Sequence, residues 1–379
     1  MHTVCIIQRR LTHYRVPLFQ RLRDLLRENR IDLRLIVGVG TTAEASKNDS
    51  GNLHWAESIK TKYWANGRLC WQPLFNYLAD TDLLILSQEN KLLHNHLLMV
   101  MPRDFKLAFW GHGANLQGNN PNGFKERFKR YTTTWVDWWF AYTETSAVIV
   151  KRAGFPEKRV VVLNNAFDTR PLLQHFLSVT PIETQKLRFS LGLTSGPVGV
   201  FLGSLYADKH LDLLFAAAEA IRKEIPDFQL LVIGEGPESW KVKAWCDSHS
   251  WGHWAGARFG KDKAAYLSIA KLMLNPGALG LSILDAFVCC LPLVTMDCRI
   301  HGPEIAYLKN GYNGVITSDS LTAYVEKCLH LLRDQHAYIS LLAGCAESAR
   351  EYTLENMALR FANGIDRCLS SPRYNRQEK

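Results

Sequence analysis

The sequence predicts an α/β protein built from two doubly wound parallel sheets facing an interdomain cleft. Short apolar runs that end in glycine or polar residues alternate with helical patterns, as parallel sheets covered on both faces require. The alternation stops over a polar, weakly periodic stretch at 168–197 and then begins again. At 379 residues the chain also suits two domains better than one core, since domains run to roughly 100–200 residues each.

The first set of runs is 4–7, which leads into a helix over 17–26, then 33–38, 83–86, 107–110, 139–142 and 160–163. The run at 83–86 ends at Ser87-Gln88-Glu89, and that at 107–110 ends at Gly111-His112-Gly113. The second set is 198–202, ending at Gly203-Ser204, then a helix over 212–222, then 228–233, ending at Gly234-Glu235-Gly236-Pro237. Runs at 272–275, 292–296 and 314–316 complete it. The expected boundaries are 1–170 for the first domain, 171–196 for the connection and 197–352 for the second domain. A last helix and polar tail, 353–379, follow. In open parallel sheets ligands sit at the carboxyl ends of strands. The residues just after each run should therefore line the cleft.

Composition narrows the class. The chain is 47% hydrophobic and 21% charged, an ordinary globular balance. No apolar run approaches the ~20 residues of a spanning helix. The opening MHTVCIIQRR has too short an apolar patch for a signal peptide, so a cytoplasmic location is expected. Nine cysteines, an odd number with no metal-site or C-x-x-C spacing, read as small core residues.

The net charge of +9 is one-sided. Residues 1–170 hold 24 Lys+Arg against 15 Asp+Glu, whereas residues 171–379 hold 21 of each. That asymmetry points to an anionic partner for the first half alone. The stretch 122–139, NGFKERFKRYTTTWVDWW, places Phe124, Phe128, Tyr131 and Trp135 at helical spacing, flanked by Lys125, Arg127, Lys129 and Arg130. It reads either as a basic amphipathic helix on the inner face of an anionic membrane or as core aromatics with a wet cationic rim. A nucleic-acid partner has only charge behind it, with no recognised module.

Residues 274–287, LNPGALGLSILDAF, carry the chemistry. A buried strand meets Pro276-Gly277, and a helix begins near Gly280 or Leu281 with Asp285 one turn inside. Free amides and the positive end of the helix dipole suit a diphosphate there. Small residues let the backbone approach the anion. In 201–209, FLGSLYADK, a strand and tight turn are followed by Lys209 at a helix start. A cation sits on the wrong side of that dipole unless an anion lies between. Gly234-Glu235-Gly236-Pro237, His301-Gly302-Pro303-Glu304 and Asn310-Gly311-Tyr312-Asn313-Gly314 follow the remaining runs.

In this order and spacing these segments resemble the C-terminal half of GT-B glycosyltransferases, close to family 4, over nearly all of residues 198–316. The family pattern is G-R-L-x-x-x-K, then G-x-G-P, then E-x7-E, then P-E and N-G. The N-terminal half is similar too: 13–19, HYRVPLF, resembles a Y-R-x-P-x-F opening, Trp110-Gly111-His112-Gly113 matches a strand-end H-G, and 164–168, NNAFD, resembles N-G-V-D. The resemblance makes each domain Rossmann-like and returns the last helix, near 361–368, to the first domain.

The resemblance implies that Lys209 contacts the donor diphosphate and that Asp285, as second acid of E-x7-E, holds the nucleotide ribose. Gly277 takes the first acid's place. His112 faces the transferred sugar, the backbone near Arg258 meets the base, and Glu304 lies near the cleft wall. Ser204, Gly234, Gly280, Leu281 and Ser282 complete the donor set, while Tyr14 and Arg15 belong to the acceptor side or cleft. The motif arginine is Ser204 here, the glycine after the lysine is His210, and the first glutamate is Gly277. Backbone groups at 277–282 and the cation of Arg15 are the expected substitutes.

The implied reaction is transfer of a sugar from a nucleotide diphosphate sugar to a hydroxyl of a glycan or lipid-linked acceptor, with retention, in bacterial surface-polysaccharide synthesis. Lys209 and the helix start would stabilise the departing diphosphate without a metal or other cofactor. The D-x-D at Asp80-Thr81-Asp82 precedes a strand at its amino end, so it reads as a solvent-side turn and not a metal site. The rival reading is a non-catalytic nucleotide-binding or membrane scaffold, motivated by Ser204 and Gly277.

Overall fold

A computed structural model of the chain describes residues 1–45, 49–113 and 123–375, without the side chains of 124–126. The chain divides into two compact units. Unit 1 is Met1–Asp168 with Thr353–Lys379, and unit 2 is Thr169–Tyr352.

Unit 1 holds β1 (His2–Gln8), β2 (Ile31–Val37), β3 (Glu57–Ser58), a small hairpin β4 (Lys62–Trp64) and β5 (Leu69–Trp71), then β6 (Leu83–Ser87), β7 (Lys106–Gly111), β8 (Trp138–Ala141) and β9 (Val160–Val162). Its seven-stranded sheet runs β3-β2-β1-β6-β7-β8-β9 and is parallel throughout. Val4 faces Leu33 on one side and Leu83 on the other. Leu84, Phe109 and Trp139 are buried without polar alternation, because helices cover both faces. These are α1 (Val16–Glu28), the short α2 (Thr42–Ala45), α3 (Leu93–Val100), α4 (Phe124–Thr132), α5 (Glu144–Arg152) and, from the end of the chain, α14 (Leu354–Ser370).

The last helix packs on α1, β8 and β9. Phe361 lies against the rings of Trp110 and Phe140. Gly364 admits this contact, because a Cβ there would come within 2.7 Å of the Phe140 ring.

Unit 2 begins with α6 (Arg170–Ser178) and α7 (Pro181–Ser190). It continues through β10 (Val198–Leu202), α8 (Leu211–Glu224), β11 (Gln229–Ile233), α9 (Ser239–Ser248), β12 (Gly252–Gly256), α10 (Gly260–Ser268) and β13 (Leu272–Asn275). The rest is α11 (Ser282–Val288), β14 (Leu293–Met296), β15 (Gly314–Thr317), α12 (Leu321–Arg333) and α13 (Gln335–Glu351). The six strands run β12-β11-β10-β13-β14-β15, again parallel. Both sheets are doubly wound α/β, as the alternation of runs predicts.

Three expectations are corrected. The stretch read as a connection holds α6 and α7, both of which pack on α10. Its signals were local: proline near both helix starts, and a complete capping box between Thr180 and Glu183. The stretch 122–139 is not one helix. The helix ends at Thr132, two more threonines follow, and Trp138 begins a buried strand. Lys129 is buried, whereas Phe128 and Tyr131 remain exposed. Residue 122 and the side chains of Phe124 and Lys125 lie outside the described residues. Finally, β12 was missed, because its glycines break the apolar run that marks a strand. Asp82 has a structural partner: its carboxylate accepts the Thr3 amide at 2.7 Å, at the amino edge of the first sheet.

Unit 1 also holds buried His94 and half-buried His112, both pushed down to about 4 by desolvation, with the charge of Lys129 and Arg15 adding to the effect at His112. Between pH 4 and the ordinary histidine value of 6.5 the unfolded chain binds more protons than the folded one, so stability rises with pH there. Their contribution is fully present above about pH 6.5 and is lost as pH falls toward 4. Urea midpoints measured from pH 7 to 4.5 should fall, and His94→Leu should flatten the slope.

Candidate functional site

The order of the second sheet reverses between β10 and β13, and ligands of doubly wound folds bind beyond the carboxyl ends of the strands at that reversal. The loops leaving β10 and β13 are Gly203–Tyr206 and Pro276–Leu281. Their sequences determine how closely they approach.

Gly203 and Gly234 hold φ values of 157° and 148°, and a Cβ on Gly234 would lie 1.8 Å from the Gly203 carbonyl oxygen. Only glycine allows the two loops to stack. The stack is pinned by Leu205 N–H donating to Glu235 O at 3.0 Å and Glu238 N–H donating to Leu205 O at 2.9 Å. The chain then makes a single 3-10 turn, Ala207–Lys209, and His210 takes the left-handed conformation (φ 51°, ψ 50°) before α8. That conformation is one glycine adopts freely, which accounts for a glycine at this place in the resembled motif. The reversal keeps Lys209 out of α8 and turns it toward β13.

There the lysine ammonium donates to the Ala278 carbonyl, and the Ala278 N–H donates to Asp208 O at 2.8 Å. Gly277 is in direct contact with the same turn: a Cβ would fall 2.3 Å from Lys209 C and 2.5 Å from Asp208 O. Here lies the physical reason for the missing first acid. The backbone of 208–209 fills the space a side chain would need. Gly277→Ala is therefore expected to destabilise unit 2 by about 1–3 kcal/mol through overpacking. Thermal melts should show a midpoint several degrees lower, and an unchanged midpoint would contradict the close packing.

His301 fastens the turn from the other side. Its Nδ1 accepts the Leu279 N–H at 3.1 Å, while Nε2, 2.7 Å from the Met296 carbonyl, takes the donor role. The Gly302 N–H also donates to Leu279 O at 2.7 Å. Burial holds the His301 imidazole below its ordinary value, in keeping with the neutral form this geometry needs. The Ala278 and Leu279 amides are thus used internally. Among the described residues the amides of Gly280, Leu281 and Ser282 have no protein partner. A Cβ on Gly280 would meet nothing within 4 Å. The three open amides stand at the start of α11.

Lys209 is half-buried, and burial lowers the pKa of its ammonium. Among the described residues no carboxylate lies within ion-pair distance of it. A poorly solvated cation near open amides is able to offer charge-assisted hydrogen bonds to an anion.

Asp285, expected on the ribose, is buried, and its Oδ1 receives the Lys263 ammonium of α10 at 2.8 Å. Burial raises its pKa while Lys263 opposes the rise. Glu304 is buried in the 3-10 turn Pro303–Tyr307, and its Oε2 lies 2.8 Å from where a Gly302 Cβ would be. Ser204 is exposed on the β10 loop, and the Arg258 guanidinium lies over the Tyr266 ring at 5.1 Å.

The fold gathers Lys209, Gly277, Gly280, Leu281 and Ser282 at one end of the second sheet, with Asp285 one helical turn further on. Tyr14, Arg15 and His112 belong to unit 1. The role of His301, and Lys263 altogether, escaped the sequence reading. A histidine just after a strand run was visible, but its partner is not in the sequence, and Lys263 meets Asp285 across 22 residues of chain only in the folded protein.

Residues 196–334 match the family model described as glycosyl transferases group 1. No significant match exists among curated proteins by sequence. Solved structures share the fold across both units. HepE from Anabaena, in complex with UDP and glucose, is 15% identical with a TM-score of 0.67, over 97% of this chain and 100% of that one. Sucrose-phosphate synthase from Thermosynechococcus elongatus is 14% identical with a TM-score of 0.70, over 98% and 100%. WaaG, a glycosyltransferase involved in lipopolysaccharide biosynthesis, is 15% identical with a TM-score of 0.60, over 95% and 98%. The fold is GT-B.

Proposed function

We propose that this chain, which carries a glycosyl transferases group 1 domain over residues 196–334 of a GT-B fold, is a retaining transferase. It moves a sugar from a nucleotide diphosphate sugar to a hydroxyl of a glycan or lipid-linked acceptor, in bacterial surface-polysaccharide synthesis. The observation that carries this reading is the contact of Lys209 with the turn whose next three amides are open. UDP and glucose bound to HepE, and the lipopolysaccharide role of WaaG, support the donor class and the setting.

In this reading the diphosphate lies against Lys209 and the amides of Gly280, Leu281 and Ser282. The acceptor oxygen bonds to the anomeric carbon as the carbon–phosphate oxygen bond breaks. The acceptor proton passes to the departing phosphate oxygen, so no protein base is required. Charge accumulates on the leaving group, where these donors already point. Asp285, oriented by Lys263, presents its carboxylate to the ribose, and neutral His112 donates or accepts a single hydrogen bond to the sugar. No residue is assigned to a metal.

The exposed Phe128 and Tyr131, with exposed Arg127 and Arg130 on the same helix, support contact of unit 1 with an anionic membrane. Among the described residues no helix is long and apolar enough to cross one.

The test is calorimetric titration with a panel of nucleotide diphosphate sugars, followed by product assay. Donor-dependent glycosyl transfer or donor hydrolysis supports the reading. Tight nucleotide binding with no turnover on any acceptor would favour the scaffold reading that Ser204 and Gly277 motivate.

A further inference from the structure

We propose that unit 1 recognises its acceptor through an oxyanion, a phosphate or a carboxylate, received by Arg15 within an aromatic cage. The proposal rests on the transferase reading above and adds the chemical class of the acceptor.

Arg15 ends the 3-10 turn His13–Arg15 and is only 6% exposed. Its guanidinium carbon lies 5.2 Å from the Tyr14 ring centre, 5.0 Å from Trp110 and 5.6 Å from Tyr142. Among the described residues the one hydrogen-bond partner of the side chain is the Met357 sulfur, at 4.0 Å, a weak acceptor. Among the described residues no carboxylate lies within ion-pair distance. Four other arginines of unit 1 are treated differently: Arg9 pairs with Glu44, Arg10 with Asp49, Arg34 with Glu57 and Arg103 with Asp137. Arg15 is thus a buried cation with no counter-charge among the described residues, a state that is costly unless an anion completes it.

The surroundings supply donors and no acid. Trp110 is 2% exposed, and its indole N–H is buried without a partner among the described residues. The His112 Nδ1 is likewise buried and unpartnered among them, with its ring 4.3 Å from Tyr142. The Tyr142 ring thus touches both Trp110 and His112, whose unpaired ring nitrogens flank the weakly paired Arg15 guanidinium. Aromatic faces satisfy the plane of the guanidinium, and its N–H edges are left for an oxyanion in fork geometry. Carboxylates elsewhere in unit 1 leave the half-chain excess of positive charge intact, which favours an anionic ligand for this unit. The donor diphosphate has its own receptor at Lys209 in unit 2.

The test titrates the full chain, by calorimetry, with glycerol 3-phosphate and with glucuronate, alone and with a saturating nucleoside diphosphate. Wild type is compared with Arg15→Met, Arg15→Lys and Trp110→Phe. One of the two anions should bind, and which one identifies phosphate or carboxylate. Arg15→Met should weaken it at least 30-fold, Arg15→Lys should recover part of the loss, and nucleoside diphosphate affinity should stay within twofold. If Arg15→Met does not fold, Arg15→Lys and Trp110→Phe still report, each with an expected loss of threefold or more. The proposal is overturned if neither anion binds while nucleotide does, or if the Arg15 variants bind the anion unchanged. An equal loss of nucleoside diphosphate affinity would also overturn it by placing Arg15 on the donor. Failure of wild type to bind any nucleoside diphosphate would count against the transferase reading alone, because the anion titration is read separately.

Discussion

Lys209→Met should lower kcat/KM for the donor about 10²–10³-fold, the usual cost of removing one preorganised donor to a developing anion. Methionine keeps the length of the stem, so the contact with the 276–279 turn is conserved and the ammonium alone is lost. Stability should be unchanged or slightly higher, since the removed cation is half-buried and bonded only to a carbonyl. The pair of readouts separates the roles: a structural lysine would lose melting temperature, and an anion receptor loses activity. A variant retaining more than a third of wild-type kcat/KM would remove Lys209 from the mechanism.

Lys263→Met should have the largest effect on stability. Asp285 is buried, and Lys263 meets it at 2.8 Å, its ammonium also little exposed. Breaking a buried pair strands the other charge and costs about 3–5 kcal/mol. The stranded carboxylate would take up a proton more readily, so the loss should shrink as pH falls toward 5. Replacing both partners, Lys263→Met with Asp285→Leu, should recover most of the stability, because no charge is left buried. Chemical denaturation of the three proteins at pH 7.5 and 5 checks this. A double variant no more stable than Lys263→Met would show that the two side chains do not act as a pair.

Much of the fold was legible in the chain. Each strand that carries a site loop is a continuous apolar run, because both of its faces are covered. The runs ending at Gly203, Gly234 and Asn275 fall on β10, β11 and β13. The glycines after them were legible as places of close approach, although not what approaches. The parts missed were short or contained glycine. The hairpin β4–β5 and edge strand β12 lack a sustained period, and α6 and α7 are exposed helices whose apolar stripe is narrow.

By itself the sequence determined the alternation of strands and helices, the glycine-marked loops and the placing of all excess positive charge in the first 170 residues. These follow from periodicity and local conformational preference, which a linear string carries. Only the tertiary structure decided that Gly277 abuts the backbone of Lys209, that His301 consumes an amide of the 276–281 turn and that Lys263 pairs with Asp285. It also decided that Arg15 sits among rings with no acid beside it. Each of these depends on a contact between residues far apart in the chain, set by sheet order and helix packing.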